Sequence, residues 1–288
     1  MQDHVKYEVT DQIATITLNR PDQLNAMTSA MTHRLTELFD RSDQDDDVRA
    51  VIVTGSGRAF CAGADLSEGA GSLRNESVGD ALRDVGGLLT LRIFRSRKPV
   101  IAAINGSAVG VGLSMTLAMD ARVLSDDAKL GFVFAARGIA PDAAASWFLP
   151  KIVGLPLALE WCMTGRLFGP GEAIAGGLVR SVHASGDVLT SARELAGEIM
   201  ANVSPLSAVM TRQLLWTMAG AQHPMEAHRV ETAVINFLAQ TPDAGEAVRA
   251  FFDQRPPVWT SRPGTDLPTW FPWTDEPEFD SLPPVGPI

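Results

Sequence analysis

Apolar and polar positions alternate along the first 18 residues of the chain. Segments 5–9 and 13–18 place apolar side chains two residues apart on either side of a short polar turn, which predicts a β-hairpin. The apolar spacing then changes to three or four residues. This change predicts an amphipathic helix that begins at Thr28 or Ser29, either of which is a good N-cap.

Strand and helix patterns alternate through the middle of the chain. Segments 50–54, 100–104 and 121–124 are apolar and short enough to be buried strands. Residues 80–96 have helical spacing, and the polar, glycine-rich stretch 67–79 before them is typical of a loop. Short strands that alternate with helices of crossover length predict the α/β fold class.

The strand patterns end near residue 187, and only helices are predicted beyond it. These helices span 188–200, 205–219, 225–239 and 243–252. The stretch 255–288 holds nine of the 18 prolines and three of the six tryptophans, so it is predicted to be an extended tail packed on its own subunit or on a neighbour. We therefore divide the chain into a core (1–200), a helical region (201–255) and a tail (256–288).

Composition narrows the class of function. A hydrophobic content of 45% with 20% charged residues suits a folded protein with a sizeable core. A net charge of -10 disfavours nucleic acid and anionic membranes as partners. Cys61 and Cys162 are too few for a disulfide framework, which favours a reducing compartment such as the cytoplasm. The histidines show no metal-ligand spacing, so no metal site is expected.

Two strand-to-helix turns are candidates for binding chemistry. In segments 51–66 and 100–112 a buried strand leads into small residues and then a helix. Two such turns side by side can direct two backbone N–H groups at one oxygen atom, forming an oxyanion hole. The alternative is that Gly110-Val111-Gly112 only allows close helix–strand packing. The spacing matches neither a dinucleotide fingerprint nor a phosphate-binding loop.

Several separated motifs occur in a familiar order. They are Asn19-Arg20-Pro21, Asn25-Ala26-Met27, residues 58–66, 98–111 and 138–154, Thr164-Gly165, Glu172-Ala173 and residues 176–179. With these motifs, over roughly residues 5–255, the chain resembles the enoyl-CoA hydratase/isomerase (crotonase) superfamily. The resemblance implies a spiral of ββα units with a C-terminal helical trimerisation region, and a homotrimer or dimer of trimers.

The resemblance also implies an acyl-CoA thioester as substrate, with no cofactor beyond the coenzyme A that the substrate carries. Ala64 and Val111 match the positions whose N–H groups form the oxyanion hole for a thioester enolate, and Val111 stands where the family usually has glycine. The implied contacts of the substrate and coenzyme A are Arg20, Ala26, Arg58, Ala62, Asp65, Leu66, Phe134 and Phe251. Arg20 and Arg58 are the expected phosphate partners.

The acid–base residues depart from the family pattern. Hydratases of this family hold and activate water with two glutamates, and this chain has Ser114 and Phe134 at those positions. Asp142 lies where dienoyl-CoA isomerases, one branch of enoyl-CoA isomerases and 4-chlorobenzoyl-CoA dehalogenases carry a working acid. The alternative role for Asp142 is to cap the helix that follows it. A helix N-terminus would lower its pKa and apolar neighbours would raise it, and the sequence leaves that balance open.

These residues favour double-bond isomerisation over hydration, since isomerisation needs a single proton-shuttling group and Asp142 can supply it. The second interpretation is an acyl-CoA hydrolase or dehalogenase in which Asp142 is the nucleophile. The third is an acyl-CoA-binding protein without turnover, which the loss of both glutamates keeps open.

Overall fold

A computed structural model describes residues 4–67, 69, 76–78 and 81–280. The strands in this part of the chain are β1 (Val5–Thr10), β2 (Ile13–Leu18), β3 (Ala50–Gly55), β4 (Ala59–Cys61), β5 (Glu76–Val78), β6 (Ala81–Arg83), β7 (Val100–Ile104), β8 (Ser107–Val109), β9 (Ala121–Ser125), β10 (Leu130–Gly131) and β11 (Ser181–His183). The α-helices are α1 (Ser29–Gln44), α2 (Val85–Phe94), α3 (Val111–Ser114), α4 (Ala145–Val153), α5 (Leu155–Thr164), α6 (Pro170–Ala175), α7 (Val188–Asn202), α8 (Pro205–Met218), α9 (Pro224–Leu238) and α10 (Pro242–Asp253).

Most strands belong to one of two sheets, and the chain passes repeatedly from the larger sheet to the smaller one. The larger sheet has the order β1-β2-β3-β7-β9-β11, antiparallel at β1–β2 and parallel elsewhere. The smaller sheet is parallel with the order β10-β8-β4. Strands β3, β7 and β9 lie in the larger sheet, and the strand that follows each of them lies in the smaller one. The prediction of an α/β fold and of the N-terminal hairpin is confirmed.

The larger sheet is buried on both faces, which explains its nearly continuous apolar strands. In β3, Val51 and Val53 belong to the main core, which also contains α1 and α2 side chains. Ile52 points to the opposite face, where it packs with Val188 and Ala192 of α7. The predicted strands at 100–104 and 121–124 and the four predicted C-terminal helices match β7, β9 and α7–α10 within two residues.

The region before α2 differs in part from its prediction. The helix predicted from residue 80 is wrong at its start, because 81–83 form β6 of a two-stranded hairpin and Asp84 caps α2 at Val85. Of the predicted loop 67–79, residues 68, 70–75 and 79 lie outside the described residues, and 76–78 form β5.

The apolar segment 100–119 is not a membrane span. It consists of β7, β8 and α3 followed by a 3₁₀ turn, all of which belong to the folded core. In the described part of the chain, no helix combines the length and the apolar character needed to cross a bilayer.

Tryptophan side chains of the tail hydrogen-bond to helices of the same chain. Trp259 Nε1 donates to the carbonyl of Ala201 at 3.2 Å, and Trp273 Nε1 donates to Thr217 Oγ1 at 3.2 Å. Residues 255–280 contain neither helix nor strand, as their proline content predicts. The aromatic residues therefore attach the tail to helices α7 and α8.

Arg212 on α8 joins the helical region to the core. Its guanidinium is buried and pairs with Asp120 at 2.8 Å. It also donates to four backbone carbonyls, those of Ile93, Phe94, Ser96 and Ala118. One side chain therefore satisfies the carbonyls at the end of α2 and beside β9.

Replacing this arginine is expected to destabilise the fold strongly. Arg212→Ala removes the ion pair with the carboxylate of Asp120 and the hydrogen bonds to four carbonyls, and we expect a loss of about 3–5 kcal/mol in the free energy of unfolding. Urea denaturation at fixed protein concentration measures this loss. The matched control is Arg180→Ala, which removes an exposed arginine and should change the stability by less than about 0.5 kcal/mol. Equal effects of the two substitutions would contradict the interpretation.

Candidate active site

The first turn of the site is fixed by a short parallel bridge between Met27 and Ala64. Met27 N donates to Gly63 O, and Asp65 N donates to Met27 O, both at 2.8 Å. Because successive N–H groups of an extended chain point to opposite sides, the N–H of Ala64 points away from Met27. This arrangement leaves that N–H available for a ligand.

Asn25 holds the segment that makes this bridge. Its side chain is fully buried, donates to Ser56 O at 2.9 Å and Ala59 O at 2.8 Å, and accepts from Arg20 N at 2.8 Å. The Asn25-Ala26-Met27 motif is thus tied to the turn between β3 and β4. Sequence analysis found the motif by resemblance and did not assign this role to the asparagine.

The second turn of the site leads from β8 into α3. Gly110 has φ +55°, a conformation that glycine adopts readily, and Val111 is the first residue of α3. The N–H of a first helical residue has no acceptor within its helix. Gly112 lies so close to β4 that a Cβ there would be 2.5 Å from the carbonyl oxygen of Cys61. The interpretation of close helix–strand packing therefore applies at Gly112, and this packing brings the N-terminus of α3 against the first turn. The oxyanion hole stays a prediction.

Ala64, Val111 and Asp142 meet at the boundary of two cavities. One has a volume of about 500 Å³ and lies against the N-termini of α1 and α2, with Thr28, Asp84 and Gly86 in its wall. The other has a volume of about 70 Å³ and lies against Phe134 and Leu66. All three boundary residues line both cavities.

Asp142 is held in a conformation that keeps its carboxyl group largely out of water. Burial, and after it the charge of Asp84, raise the pKa of Asp142 to about 7 against the lowering effect of the Ser114 hydroxyl. Oδ1 of Asp142 is buried and has no hydrogen-bond partner among the described residues. Of the two influences left open by the sequence, burial outweighs stabilisation by a helix end.

The structure does not support the alternative that Asp142 caps a helix. Helix α4 begins at Ala145, its N-cap is Ala144, and no side chain accepts from its first turn. The backbone carbonyl of Asp142 accepts from Ala145 N at 2.9 Å, whereas its carboxylate lines the cavities. The capping prediction is therefore wrong, because the chain turns through two left-handed residues before α4 begins.

Ser114 and Phe134 surround this carboxyl group without adding a second one. Both are buried, at 0% and 4% exposure, and Phe134 lines the smaller cavity. The buried Ser114 hydroxyl is close enough to Asp142 to lower its pKa, although Oγ has no hydrogen-bond partner of normal geometry among the described residues.

Asp84 is a site residue that sequence analysis missed. Its carboxylate accepts from Gly86 N and Gly87 N as the N-cap of α2 and also from Ala143 N at 2.8 Å. The signal was an aspartate directly before a helical pattern. Placing the start of that helix at residue 80 concealed it.

The residues implied in coenzyme A binding form two groups. Ala62, Leu66 and Phe134 line the smaller cavity. Arg20 donates to Asp65 at 2.8 Å and to Ala26 O at 2.6 Å, so these three residues form one cluster beside the first turn. Ser67 N and Arg20 lower the pKa of Asp65.

Arg58 and Phe251 are exposed and line neither of the two cavities. Arg137, by contrast, lines the smaller cavity and donates to Val133 O at 3.4 Å. Within the described residues, no cluster of three or more possible metal ligands occurs.

A family model described as enoyl-CoA hydratase/isomerase matches residues 8–262 of the chain. The chain belongs to the enoyl-CoA hydratase/isomerase family. Individual members of the family match a similar length of the chain. The chain is 39% identical to the enoyl-CoA hydratase ACTT3 of Alternaria alternata over 248 residues, which are 86% of this chain and 82% of that protein.

Other members of the enoyl-CoA hydratase/isomerase family differ in their described reactions. A 4-chlorobenzoyl coenzyme A dehalogenase from an Arthrobacter species is 34% identical over 238 residues, 80% of this chain and 84% of that protein. A crystal structure of a probable enoyl-CoA hydratase/isomerase from Mycobacterium abscessus has a TM-score of 0.83 at 34% identity and covers 90% of this chain and 99% of that one. Membership of the family therefore leaves the reaction to be inferred from the site.

The raised pKa of Asp142 predicts a pH-dependent stability. An aspartate that titrates near 3.8 when unfolded and near 7 when folded favours the folded state in its neutral form. Its contribution is therefore complete below pH 3.8 and is lost as the pH rises to about 7. Asp142→Asn, which is neutral throughout, should become more stable than the wild type across this range, by about 2–4 kcal/mol above pH 7.

Unfolding by urea at a series of pH values measures this difference. The control is Asp47→Asn, which removes one exposed carboxylate and should follow the wild type at every pH. A constant difference between Asp142→Asn and the wild type would contradict the assigned pKa.

Proposed function

We propose that this protein isomerises the double bond of an enoyl-CoA thioester, with Asp142 as the acid–base group. The observation that carries the proposal is the position of one buried carboxyl group, with a pKa of about 7, beside the turns of Ala64 and Val111. A proton-transfer group is most effective when its pKa lies near the working pH.

The backbone donors provide the electrostatic part of the mechanism. The N–H groups of Ala64 and Val111 would donate to the thioester oxygen, which becomes an enolate oxygen when a proton leaves C2. Preorganised donors of this kind stabilise developing charge without rearranging, and the loss of one typically costs about 2.7–4 kcal/mol of barrier. Because both donors belong to the backbone, the side chain of Val111 does not prevent this role.

Asp142 provides the proton transfer. Starting from a 3-enoyl thioester, the carboxylate removes a proton from C2 and the electron pair moves into the thioester enolate. The protonated carboxyl group then returns a proton to C4, the double bond shifts to C2–C3, and Asp142 is again a carboxylate. A group that titrates near neutral pH populates both forms, so one side chain can complete the cycle.

The same site is less suited to the hydration of a double bond. Adding water across the double bond requires a group that holds the water as well as a proton donor. Ser114 and Phe134 supply no carboxylate, and among the described residues Asp142 is the one carboxyl group in the wall of the smaller cavity. The larger cavity adds Asp84, whose two oxygen atoms already accept three backbone N–H groups.

A second candidate is hydrolytic dehalogenation with Asp142 as the nucleophile. It is favoured by the 34% identity to 4-chlorobenzoyl coenzyme A dehalogenases. A carboxyl group with a raised pKa is partly protonated at neutral pH, which weakens it as a nucleophile. Transfer of labelled oxygen from water into the Asp142 carboxylate distinguishes this reaction from proton shuttling.

We also propose that the chain forms homotrimers through its C-terminal helices, within the ββα spiral architecture expected of the family. Large apolar side chains on α8–α10 are exposed in the single chain, namely Leu215, Met225, Ile235, Phe251 and Phe252. Such a concentration of exposed apolar residues is typical of a protein–protein interface. Phe251 is then available to a neighbouring subunit's coenzyme A.

The test uses a panel of 2-enoyl-, 3-enoyl- and dienoyl-CoA thioesters, with products separated by mass and retention. We expect the wild type to yield a product of unchanged mass with a shifted double bond. Asp142→Asn should reduce this turnover by about 10²–10⁴-fold, because it removes the proton-transfer group. Asp47→Asn should retain wild-type turnover.

Two outcomes would contradict the proposal. A product heavier by one water, formed equally well by Asp142→Asn, would indicate a hydratase that does not depend on this residue. Tight binding of every thioester with no turnover would indicate an acyl-CoA-binding protein.

A further inference from the structure

Asp84 connects two parts of the active site that are distant in the sequence. Its Oδ1 accepts from Gly86 N at 2.9 Å, and its Oδ2 accepts from Gly87 N at 2.8 Å, which completes an ordinary N-cap of α2. The same Oδ2 also accepts from Ala143 N at 2.8 Å. This third hydrogen bond joins α2 to the residue next to Asp142.

The segment that carries Asp142 needs such support. Ala143 and Ala144 have φ of +54° and +53°, and residues with a side chain adopt this conformation only where their surroundings hold them in it. Ala143 is completely buried, and its N–H donates to the Asp84 carboxylate. The bond from Ala143 N therefore holds the strained turn in place.

The N-terminus of α2 also lies close to the Val111 turn. A Cβ at Gly86 would be 3.0 Å from Cγ2 of Val111 and 3.6 Å from Cβ of Ala143. The capped end of α2 thus fits between the two turns that border the larger cavity. A shift of this end would move both Val111 and Asp142.

Three ionisable side chains line the two cavities within the described residues: Asp84, Arg137 and Asp142. Burial is the largest cause of the raised pKa of Asp142, the charge of Asp84 is the second, and the Ser114 hydroxyl opposes both. Arg137 is exposed and donates to Val133 O. Asp84 is therefore the charged group that acts on Asp142 from a neighbouring element.

We propose that Asp84 is a positioning residue for Asp142, holding the 142–144 turn against α2 and setting a second negative charge beside the cavity. The inference rests on the proposed function of Asp142 as the acid–base group. Asp84 thus has two separable effects. Its hydrogen bond from Ala143 N holds the geometry of the 142–144 turn, and its negative charge raises the proton affinity of Asp142.

Two substitutions at Asp84 separate these effects. Asp84→Asn keeps the shape and one acceptor oxygen but removes the charge. Asp84→Ser also removes the charge and keeps an N-cap acceptor for α2, but its shorter side chain does not reach Ala143. Asp47→Asn is the control for net charge, because Asp47 is exposed and lines neither cavity.

The first measurement is the titration of the Asp142 carboxyl group by carbon-13 NMR of aspartate-labelled protein, with the signal assigned through Asp142→Asn. We expect a midpoint near 7 in the wild type and in Asp47→Asn. The midpoint should move to lower pH in Asp84→Asn and Asp84→Ser, because a like charge has been removed. Unchanged midpoints in these folded variants would overturn the electrostatic part of the inference.

The second measurement is kcat and KM for the best thioester of the panel. Loss of the bond to Ala143 N should lower kcat in Asp84→Ser by on the order of 10²-fold, with a smaller loss in Asp84→Asn and little change in KM. Equal kcat in wild type and Asp84→Ser would overturn the positioning role.

The two measurements also separate this inference from the proposed function. A wild type that turns over no thioester while the Asp84 variants still shift the Asp142 titration would reject the proposed function and support the link between the two aspartates. Turnover that depends on Asp142, with no effect of either Asp84 substitution on titration or kcat, would reject the role of Asp84 alone.

Discussion

The close contact between α3 and β4 at Gly112 determines the geometry of the whole site. Because no Cβ fits between Gly112 and the Cys61 carbonyl, the N-terminus of α3 lies directly against the turn that carries Ala64. Ala64 and Val111, from separate turns, therefore line the same two cavities, which Asp142 lines from a third segment. The parallel sheets bring these turns together, since each turn follows a strand of the smaller sheet.

The backbone turns give this site its shape, whereas its chemistry depends on its ionisable side chains. In the proposed mechanism the donors are backbone N–H groups of two turns, so they do not depend on the side chains there. Among the described residues, the carboxyl groups that line the larger cavity are those of Asp84 and Asp142. Asp84 accepts from three backbone N–H groups, whereas Asp142 has a buried oxygen without a hydrogen-bond partner in the described part of the chain. Two similar side chains thus acquire different roles from their surroundings.

Much of this arrangement follows from local sequence patterns, and the remainder depends on tertiary contacts. Period-two alternation located the hairpin, short apolar runs located β3 and β7, and helical spacing located the C-terminal helices, because those patterns record which faces are buried. The same patterns gave no sign that Asp43 is 7% exposed and pairs with Arg92 at 2.7 Å. They also missed Asp84, since its bond to Ala143 N is not visible from spacing.

The central claim, that one buried carboxyl group moves a proton between two carbons, has a direct test. A 3-enoyl thioester carrying deuterium at C2 is converted in ordinary water for a single turnover, and the product is analysed for deuterium at C4. A shuttling Asp142 should deliver a measurable fraction of the label to C4 of the same molecule, and Asp142→Asn should deliver none. Complete loss of the label to water in the wild type, or equal transfer in both proteins, would contradict the account.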